Sequence, residues 1–454
     1  MGPDVASLAA VPKGNRYLER SMDYNRREFL KTSAALGTSL AMVGIPGSGV
    51  HAAGSDTIRV GLIGCGNRGL GALMDCVQSS PGIEVVALGD LFQDRVEAAL
   101  GRLKDNSLVP NDNSLRSGTW TDPIKVNRDT CFSGFDAYQK VVASGVDLVI
   151  LAAPAHFRPL HVQAAVAAGK HVFMEKPVAV DPVGVRSIIE SSERAKTQRL
   201  AMVAGAQRRH DPRYVELLKR IQDGAIGEVV GGQCYWFRGH LWVRDRQPGW
   251  SDMEWQIRNF IYFTWLCGDC IVETLLHNID IINWAFGGPP TSALGVGGRQ
   301  VRVEPKYGQV YDHLTVEYEY PNGARTVAMC REMPDCQDRV AERIVGTKGV
   351  AICEAGVIQG EKPYQYDGPS INPYVQEHAH LVASIRKGEP INEGRRMAES
   401  NLTAIMGRMS AYTGVAVSWE FALKASKLNL TPATYALGDI PVPPVARPGV
   451  TELI

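Results

Sequence analysis

Ile58-Arg59-Val60-Gly61-Leu62-Ile63-Gly64-Cys65-Gly66-Asn67-Arg68-Gly69 is the stretch whose reading decides the fold. It opens as a short apolar run of strand character, turns through GxGxxG, and continues to Val77 with a helical pattern. A second apolar run, Ile83 to Leu88, is closed by Asp90, about 20 residues beyond the glycines. A lone GxGxxG is weak evidence, but a strand before it, a helix after it and an acid closing the next strand make it a dinucleotide-binding turn. Gly64 permits the tight turn, Gly66 lets backbone approach a pyrophosphate, and Gly69 lets the helix pack closely. Asn67 and Arg68 open that helix, whose first N–H groups are free for phosphate. Asp90 is placed to accept from an adenosine ribose and to repel a 2'-phosphate, which favours NAD over NADP. Arg95, one turn later, argues the other way.

Downstream, residues 105–130 are rich in Asn, Asp, Ser and Pro and read as a long loop. A helical stretch from Phe135 to Ala143 precedes Val146–Leu151, a β-branched, apolar run expected to be a buried parallel strand. It ends at Ala152-Ala153-Pro154. Residues just past a strand's carboxyl end face the ligand in a doubly wound sheet, so Ala153, Pro154 and His156 are expected along the cofactor. A solvated loop histidine is the plainer reading of His156. The next strand, His171–Met174, runs into Glu175-Lys176-Pro177, which puts Lys176 on the ligand edge. A lysine there, near a positively charged nicotinamide, can have a depressed pKa and is suited to proton transfer. Beyond the strand Leu200–Val203, Gln207 and Arg208 are candidates for nicotinamide or substrate contact, whereas Arg209 and His210 read equally well as surface groups.

Upstream, Asn25-Arg26-Arg27-Glu28-Phe29-Leu30-Lys31 precedes an apolar, small-residue stretch from Thr32 to Ile45 and then Val50-His51-Ala52-Ala53. This is the pattern of a twin-arginine signal peptide with cleavage after Ala52 or Ala53, and Met22 competes with Met1 as the start. A membrane span takes about 20 apolar residues, so stable insertion after cleavage is not expected. The expected partner is the twin-arginine export machinery, and the expected location is the periplasm or the outer side of a bacterial inner membrane. That route carries folded proteins and suits one that acquires its cofactor before export.

At 454 residues the chain is long enough for two domains. Lys+Arg and Asp+Glu are balanced at 48 each, which gives no basic field for nucleic acid. Nine cysteines in a long chain do not form a disulfide framework. Cys267 and Cys270 make a CxxC without a second pair at zinc spacing, so a loop around Gly268 is the expected reading and no metal is expected. His378 and His380, two apart on a helical pattern, do not share a face well enough to pair on one.

GCGNRG, Asp90, Ala-Ala-Pro, Ala-Gly-Lys-His-Val, Glu175-Lys176-Pro177 and Glu273-xxx-His277-xx-Asp280, in that order, resemble the glucose-fructose oxidoreductase / inositol dehydrogenase / rhizopine catabolism family from about residue 56 onward. With the export signal, Phe157-Arg158-Pro159 and Ser410-Ala411-Tyr412-Thr413-Gly414 resemble an exported bacterial branch. The resemblance implies an α/β protein: a Rossmann domain followed by an α/β domain with a large, mainly antiparallel open sheet. It also implies hydride transfer between a nicotinamide and a sugar or cyclitol hydroxyl. Carried over by position, Lys176 and His277 act on the substrate, Lys176 close to both nicotinamide and the reacting hydroxyl; Glu175 and Pro177 shape the lysine's turn, with Glu175 also expected on the cofactor, and Asp280 is a substrate contact. Glu273 is the third catalytic residue that the resemblance implies; it stands where the family commonly has Asp, and its longer carboxylate still can orient the hydroxyl or the imidazole. If residues 268–286 are one helix, Glu273 and His277 lie a turn apart on one face.

The aromatic-rich stretch Tyr235–Trp265 offers His240, Trp242, Trp250, Trp255, Arg258 and Asn259 as candidate sugar contacts, foremost Trp255 and Arg258, although aromatics also fill cores. Strands are expected between Thr291 and Cys353, notably Leu314–Tyr320 and Arg325–Arg331. Helices are expected at Tyr374–Lys387 and Met397–Thr413, packing back on the first domain. The expected division is a leader 1–53, a Rossmann domain 54–178, a substrate domain 179–430 and a proline-rich arm 431–454. The resemblance adds a homo-oligomer, dimer or tetramer, formed through the open sheet face. The leading function is an NAD(P)-dependent oxidoreductase with a tightly bound cofactor, acting on a secondary hydroxyl of a sugar, cyclitol or glycoside. Two alternatives remain: an NAD-dependent glycosidase working by transient C3 oxidation and elimination, and a non-catalytic sugar- and NAD-binding regulator.

Overall fold

A computed structural model describes residues 56–105 and 123–454. The expected leader and most of the expected loop at 105–130 lie outside the described residues. Strands β1 (Ile58–Ile63), β2 (Ile83–Asp90), β3 (Cys131–Ser133), β4 (Leu148–Leu151), β5 (His171–Met174) and β6 (Met202–Ala204) form a six-stranded sheet in the order β3-β2-β1-β4-β5-β6. All of its pairings are parallel. The crossovers include helices α1 (Asn67–Ser79), α2 (Gln93–Lys104), α3 (Ala137–Ala143), α4 (Arg158–Ala167) and α5 (Pro182–Thr197). Strand order reverses between β1 and β4, so a ligand crevice is expected at their carboxyl ends. Strands buried on both faces need apolar side chains throughout, as Leu148–Leu151, buried at every position, supplies.

The parallel sheet runs past the boundary expected at residue 178. Helix α5 and strand β6 complete it, because β6 pairs with β5 and carries the turn that holds Gln207. The expected boundary was drawn at the last recognised motif, although a strand still had to cover the open edge of β5.

The second domain contains α6 (Pro212–Gln222), β7 (Val229–Arg238), α7 (Asp252–Arg258), α8 (Thr264–Cys267), α9 (Cys270–Glu273) and α10 (Leu276–Phe286). Strands β8 (Ser292–Gly298), β9 (His313–Glu319), β10 (Arg325–Glu332), β11 (Arg339–Gly346), β12 (Gly349–Ile352), β13 (Val357–Gly360) and β14 (Tyr364–Gln365) follow. After them come α11 (Pro373–Arg386), α12 (Gly394–Thr413) and β15 (Val417–Ser418). Its nine-stranded sheet has the order β14-β13-β12-β11-β7-β10-β9-β8-β15. Only β7 and β10 pair in parallel; the sheet is otherwise antiparallel.

Alternation along β9 buries Leu314, Val316 and Tyr318, and along β10 Thr326, Ala328, Cys330 and Glu332. That face packs on α9, α10 and α12. On the other face Leu294 and Val296 are exposed. Helix α11 returns to the first domain, where Leu381, Val382 and Ile385 join the core under β1. Arg386 donates to the carbonyls of Asp56 and Pro81 at 2.9 and 2.6 Å. No helix among the described residues is long and apolar enough to cross a membrane.

Candidate active site

The glycine turn behaves as its spacing predicts. Gly64 has φ +102°, and a Cβ there would stand 2.4 Å from the amide nitrogen of Ala153. A Cβ on Gly69 would stand 1.9 Å from the Gly64 carbonyl, while one on Gly66 would meet nothing within 4 Å. Thus Gly64 and Gly69 are required by the protein's own packing, and Gly66 leaves open space. Among the described residues no side chain caps α1, and its N-terminus lies beside that space. Gly64→Ala is expected to weaken NAD binding at least tenfold through strain at a positive φ, read by calorimetric titration. Unchanged affinity would remove the turn from the cofactor's site.

These residues open onto a groove of about 570 Å³ lined by Gly64, Gly66, Asn67, Arg68, Gly69 and Asp90 together with Ala153 and Pro154. Asp90 accepts from the amides of Cys65 at 2.7 Å and Phe92 at 3.0 Å, which braces the turn against the end of β2. Its burial pushes its pKa up, opposed by nearby Arg95. Open space at Gly66, an uncapped helix terminus and a carboxylate at the end of β2 suit a dinucleotide. The residues expected to hold NAD are therefore gathered around one groove.

An adjoining pocket of about 270 Å³ shares Arg68, Ala153, Pro154 and Phe260 with the groove and adds Glu175, Lys176, Gln207, Glu273, His277 and Tyr374. Lys176 follows β5, and its Nζ donates to the backbone carbonyl of Glu273 at 2.7 Å and stands 3.7 Å from the Glu273 carboxylate. His277 stacks on Trp236 with ring centroids 6.0 Å apart. Burial, reinforced by Lys176 and Arg208, holds His277 well below its ordinary pKa, so the imidazole is neutral at neutral pH. Burial raises the Glu273 carboxyl, opposed chiefly by Lys176. Glu175 accepts from Arg68 Nε at 2.6 Å, and the Arg68 guanidinium lies 5.0 Å from the Tyr374 ring centroid. Gln207 donates to the Tyr374 hydroxyl at 3.1 Å.

Several expected placements are corrected. Glu273 and His277 do not share one helix: α9 ends at Glu273, and α10 begins at Leu276 after a break at Thr274, whose hydroxyl bonds back to the Cys270 carbonyl at 2.6 Å. Both side chains nevertheless line the pocket. Asp280 does not, because Arg209 grips it with contacts of 2.8 and 2.9 Å, Ser400 donates to it at 2.7 Å and Arg396 lies 3.5 Å away. Arg208 is turned beneath the sheet onto buried Glu342. Trp255 donates to the Arg244 carbonyl at 2.9 Å and packs on Phe263, so it braces a loop. Arg258 lines the dinucleotide groove instead of the adjoining pocket.

His156 is neither solvated nor on the cofactor; it is buried, bonded to the Tyr435 hydroxyl at 2.8 Å and edge-on to Trp265. Tyr435 belongs to the C-terminal arm, which also accepts from Met253 and Gln256 through the carbonyls of Gly438 and Ile440. His380 is bonded to His210 at 2.8 Å, and His378 lies against Phe173. Cys270 Sγ is 3.1 Å from Cys330 Sγ.

Burial lowers His156 from 6.5 to about 4 and His161 from 6.5 to about 3. Below pH 6.5 the unfolded chain binds protons that these folded residues refuse, so stability falls as pH drops from 6.5 toward 4 and is unaffected by them above 7. His156→Gln is expected to make that fall shallower by about 1.4 kcal/mol per pH unit in urea titrations. An unchanged slope would contradict its burial.

Tyr374 and Arg158 line the pocket and were not among the site residues read from the sequence. Tyr374 enters from the first turn of α11, where Asn372 caps the helix; the helix start is legible, but not what it packs against. Arg158 is buried and donates to the carbonyls of Ala153 and Pro177, tying the loop after β4 to the lysine's turn.

A doubly wound sheet with this glycine turn, joined to a mixed sheet and sharing a polar pocket at the groove's end, defines a two-domain dinucleotide-binding protein. The chain belongs to the GFO/IDH/MocA oxidoreductase family: residues 58–204 match its NAD-binding Rossmann fold, and residues 214–352 match the GFO/IDH/MocA C-terminal domain. It is 29% identical over 244 residues to inositol 2-dehydrogenase of Acidothermus cellulolyticus, a match covering 54% of this chain and 58% of that protein. It is 26% identical over 296 residues to scyllo-inositol 2-dehydrogenase (NAD(+)) of Bacillus subtilis, covering 64% of this chain and 72% of that one. The chain thus spans little more than half the length of the first of these relatives. A solved scyllo-inositol dehydrogenase of Lactobacillus casei, with bound NAD(H) and scyllo-inositol, aligns with TM-score 0.59 at 17% identity over 80% of this chain and 99% of its own. That likeness establishes the fold.

Proposed function

We propose that the protein is an oxidoreductase that moves hydride between NAD and a secondary hydroxyl of a cyclitol or sugar. The observation that carries this reading is the convergence of Lys176, Glu273 and His277 on a pocket that opens into the NAD groove. NAD, when bound, supplies the hydride acceptor. Lys176, steadied by the Glu273 carbonyl, holds the substrate oxygen and offsets the negative charge that develops there as the hydroxyl proton is withdrawn. Neutral His277 accepts the hydroxyl proton. Gln207, Tyr374 and the Glu273 carboxylate line the same pocket and are placed to bond the neighbouring hydroxyls. The inositol dehydrogenases among the relatives support a cyclitol as the first substrate to try.

We further infer that the cofactor is resident and that the chain is exported folded by the twin-arginine route to the periplasmic side, a reading supported by Arg26-Arg27, Phe29-Leu30-Lys31 and the apolar stretch after them. Free NAD is scarce there, so a bound nicotinamide must be recycled by a second carbonyl substrate. Association of copies through the second sheet's exposed face, as a dimer or tetramer, is supported by Leu294 and Val296. Mass analysis of the nucleotide released on denaturing purified protein tests residence. The expected result is NAD close to one per chain; protein without nucleotide that binds NAD only weakly would overturn it.

A further inference from the structure

The first domain does not build the dinucleotide groove alone. Between β7 and α10 the second domain sends residues 239–260 across it, and Trp242, Arg244, Ile257, Arg258 and Phe260 complete the lining. Hydrogen bonds tie this crossing segment down. The Arg244 amide donates to Asn259 Oδ1 at 2.8 Å, and buried Asn259 donates in turn to the Lys306 carbonyl at 2.8 Å. At the ribose end, Arg258 reaches the first domain with a two-pronged ion pair: both terminal nitrogens lie 2.9 Å from Asp94 carboxylate oxygens. Its Nε donates to Glu254 at 2.9 Å, and its guanidinium lies 3.8 Å from the Phe92 ring centroid and 5.0 Å from that of Trp250.

Asp94 sits in the first turn of α2, directly after the ribose acid Asp90, so this contact joins the two walls of the groove. At the other end Phe260 lines both groove and catalytic pocket, with Trp242 edge-on to it at 5.5 Å. Arg244 lines the groove as well, 5.7 Å from the Trp242 ring, with no carboxylate partner among the described residues. On the facing wall, Arg102 donates to Asn67 Oδ1 at 3.1 Å, beside the uncapped start of α1. Arg102 and Arg244 thus both line the groove, one from each domain.

We propose that residues 239–260 are a clamp that closes the dinucleotide in its groove, with Arg258–Asp94 as the latch and Arg244 as the cation that meets the pyrophosphate. The proposal rests on the NAD reading above and gives residence a structural cause. A planar fork on a carboxylate, flanked by two rings, is the strong form of ion pair. Asp94 is 63% exposed, so the latch is open to salt. Affinity differences of this kind fall mainly on the release rate.

The test loads the full-length protein with NADH, displaces it with excess NAD and follows nicotinamide fluorescence. Arg258→Met and Asp94→Asn are each expected to speed release about tenfold or more, and the double variant no further, because both remove one contact. Asp94 lies on an exposed helix turn, so Asp94→Asn keeps the question open to test if Arg258→Met fails to fold. Arg244→Met is expected to weaken equilibrium NADH affinity about tenfold and to flatten its dependence on salt. Arg325→Met, on a surface ion pair with Glu317 and Glu319 in the second sheet, is expected to release at the wild-type rate. NADH bound by all variants and released at one rate would overturn the clamp and leave the cofactor assignment standing. A wild-type protein that binds no NADH would overturn the assignment itself.

Discussion

Lys176→Ala is expected to lower turnover by about 10²- to 10⁴-fold while NAD affinity changes only a few-fold. The asymmetry follows from where the side chain stands. The groove that carries the dinucleotide is lined by Gly64, Gly66 and Asp90 and does not include Lys176, which lines only the adjoining pocket. Its Nζ spends one donor on the Glu273 carbonyl at 2.7 Å, leaving others for a substrate oxygen. Negative charge builds on that oxygen as its proton is withdrawn, and in the reverse direction as hydride reaches the carbonyl carbon, so a cation there acts mostly on the transition state. The loss should fall on kcat and leave KM for the polyol within a few-fold. Lys176→Arg should recover little, because a planar fork does not replace a point donor. If Lys176→Ala turned over at the wild-type rate, the pocket would not be the reacting centre.

Asp280→Ala is expected to cost about 3 to 5 kcal/mol of stability, since it leaves buried cations without their partner. Arg209, Arg396 and Ser400 converge on this carboxylate, and their charges hold it well below the usual carboxylate range. The anion therefore ties α10, which carries His277, to the turn after β6 and to α12. Urea unfolding should show the loss, with KM for substrate unchanged in the folded fraction. A variant of wild-type stability with raised KM would instead return Asp280 to the substrate site.

The contrast between these two residues shows what the sequence could convey. Lys176 was legible because it ends a strand in a parallel sheet, and topology alone delivers such positions to the ligand edge. The glycine turn was legible for a related reason: a backbone needing positive φ or close approach declares itself through glycine. Asp280 sits on a helix, where direction depends on which neighbours arrive, and one of its partners is 120 residues downstream. Arg208 was drawn under the sheet by buried Glu342, a demand set by tertiary charge pairing.

His156 was expected on the cofactor because it follows β4, but the C-terminal arm supplies Tyr435 and a closed aromatic setting for it. Arg258 was read as a sugar contact from its aromatic company. Those aromatic neighbours instead include Phe92 of the first domain, which no local pattern links to residue 258. The helix break at Thr274 was also hidden, because a Thr hydroxyl returning to a carbonyl one turn back is a local competitor that periodicity does not register.

The most direct measurement is a single-turnover one. Protein carrying stoichiometric NAD is mixed with inositols, pyranoses and aryl glycosides, and the near-ultraviolet absorbance of reduced nicotinamide is followed alongside keto product and released aglycone. The account predicts that at least one polyol reduces the bound nicotinamide once per chain, that a ketone reoxidises it, and that Lys176→Ala slows the signal by about 10²- to 10⁴-fold. Aglycone release without net reduction would shift the chemistry to redox-assisted cleavage. Bound NAD that no substrate reduces or turns over would contradict the central claim.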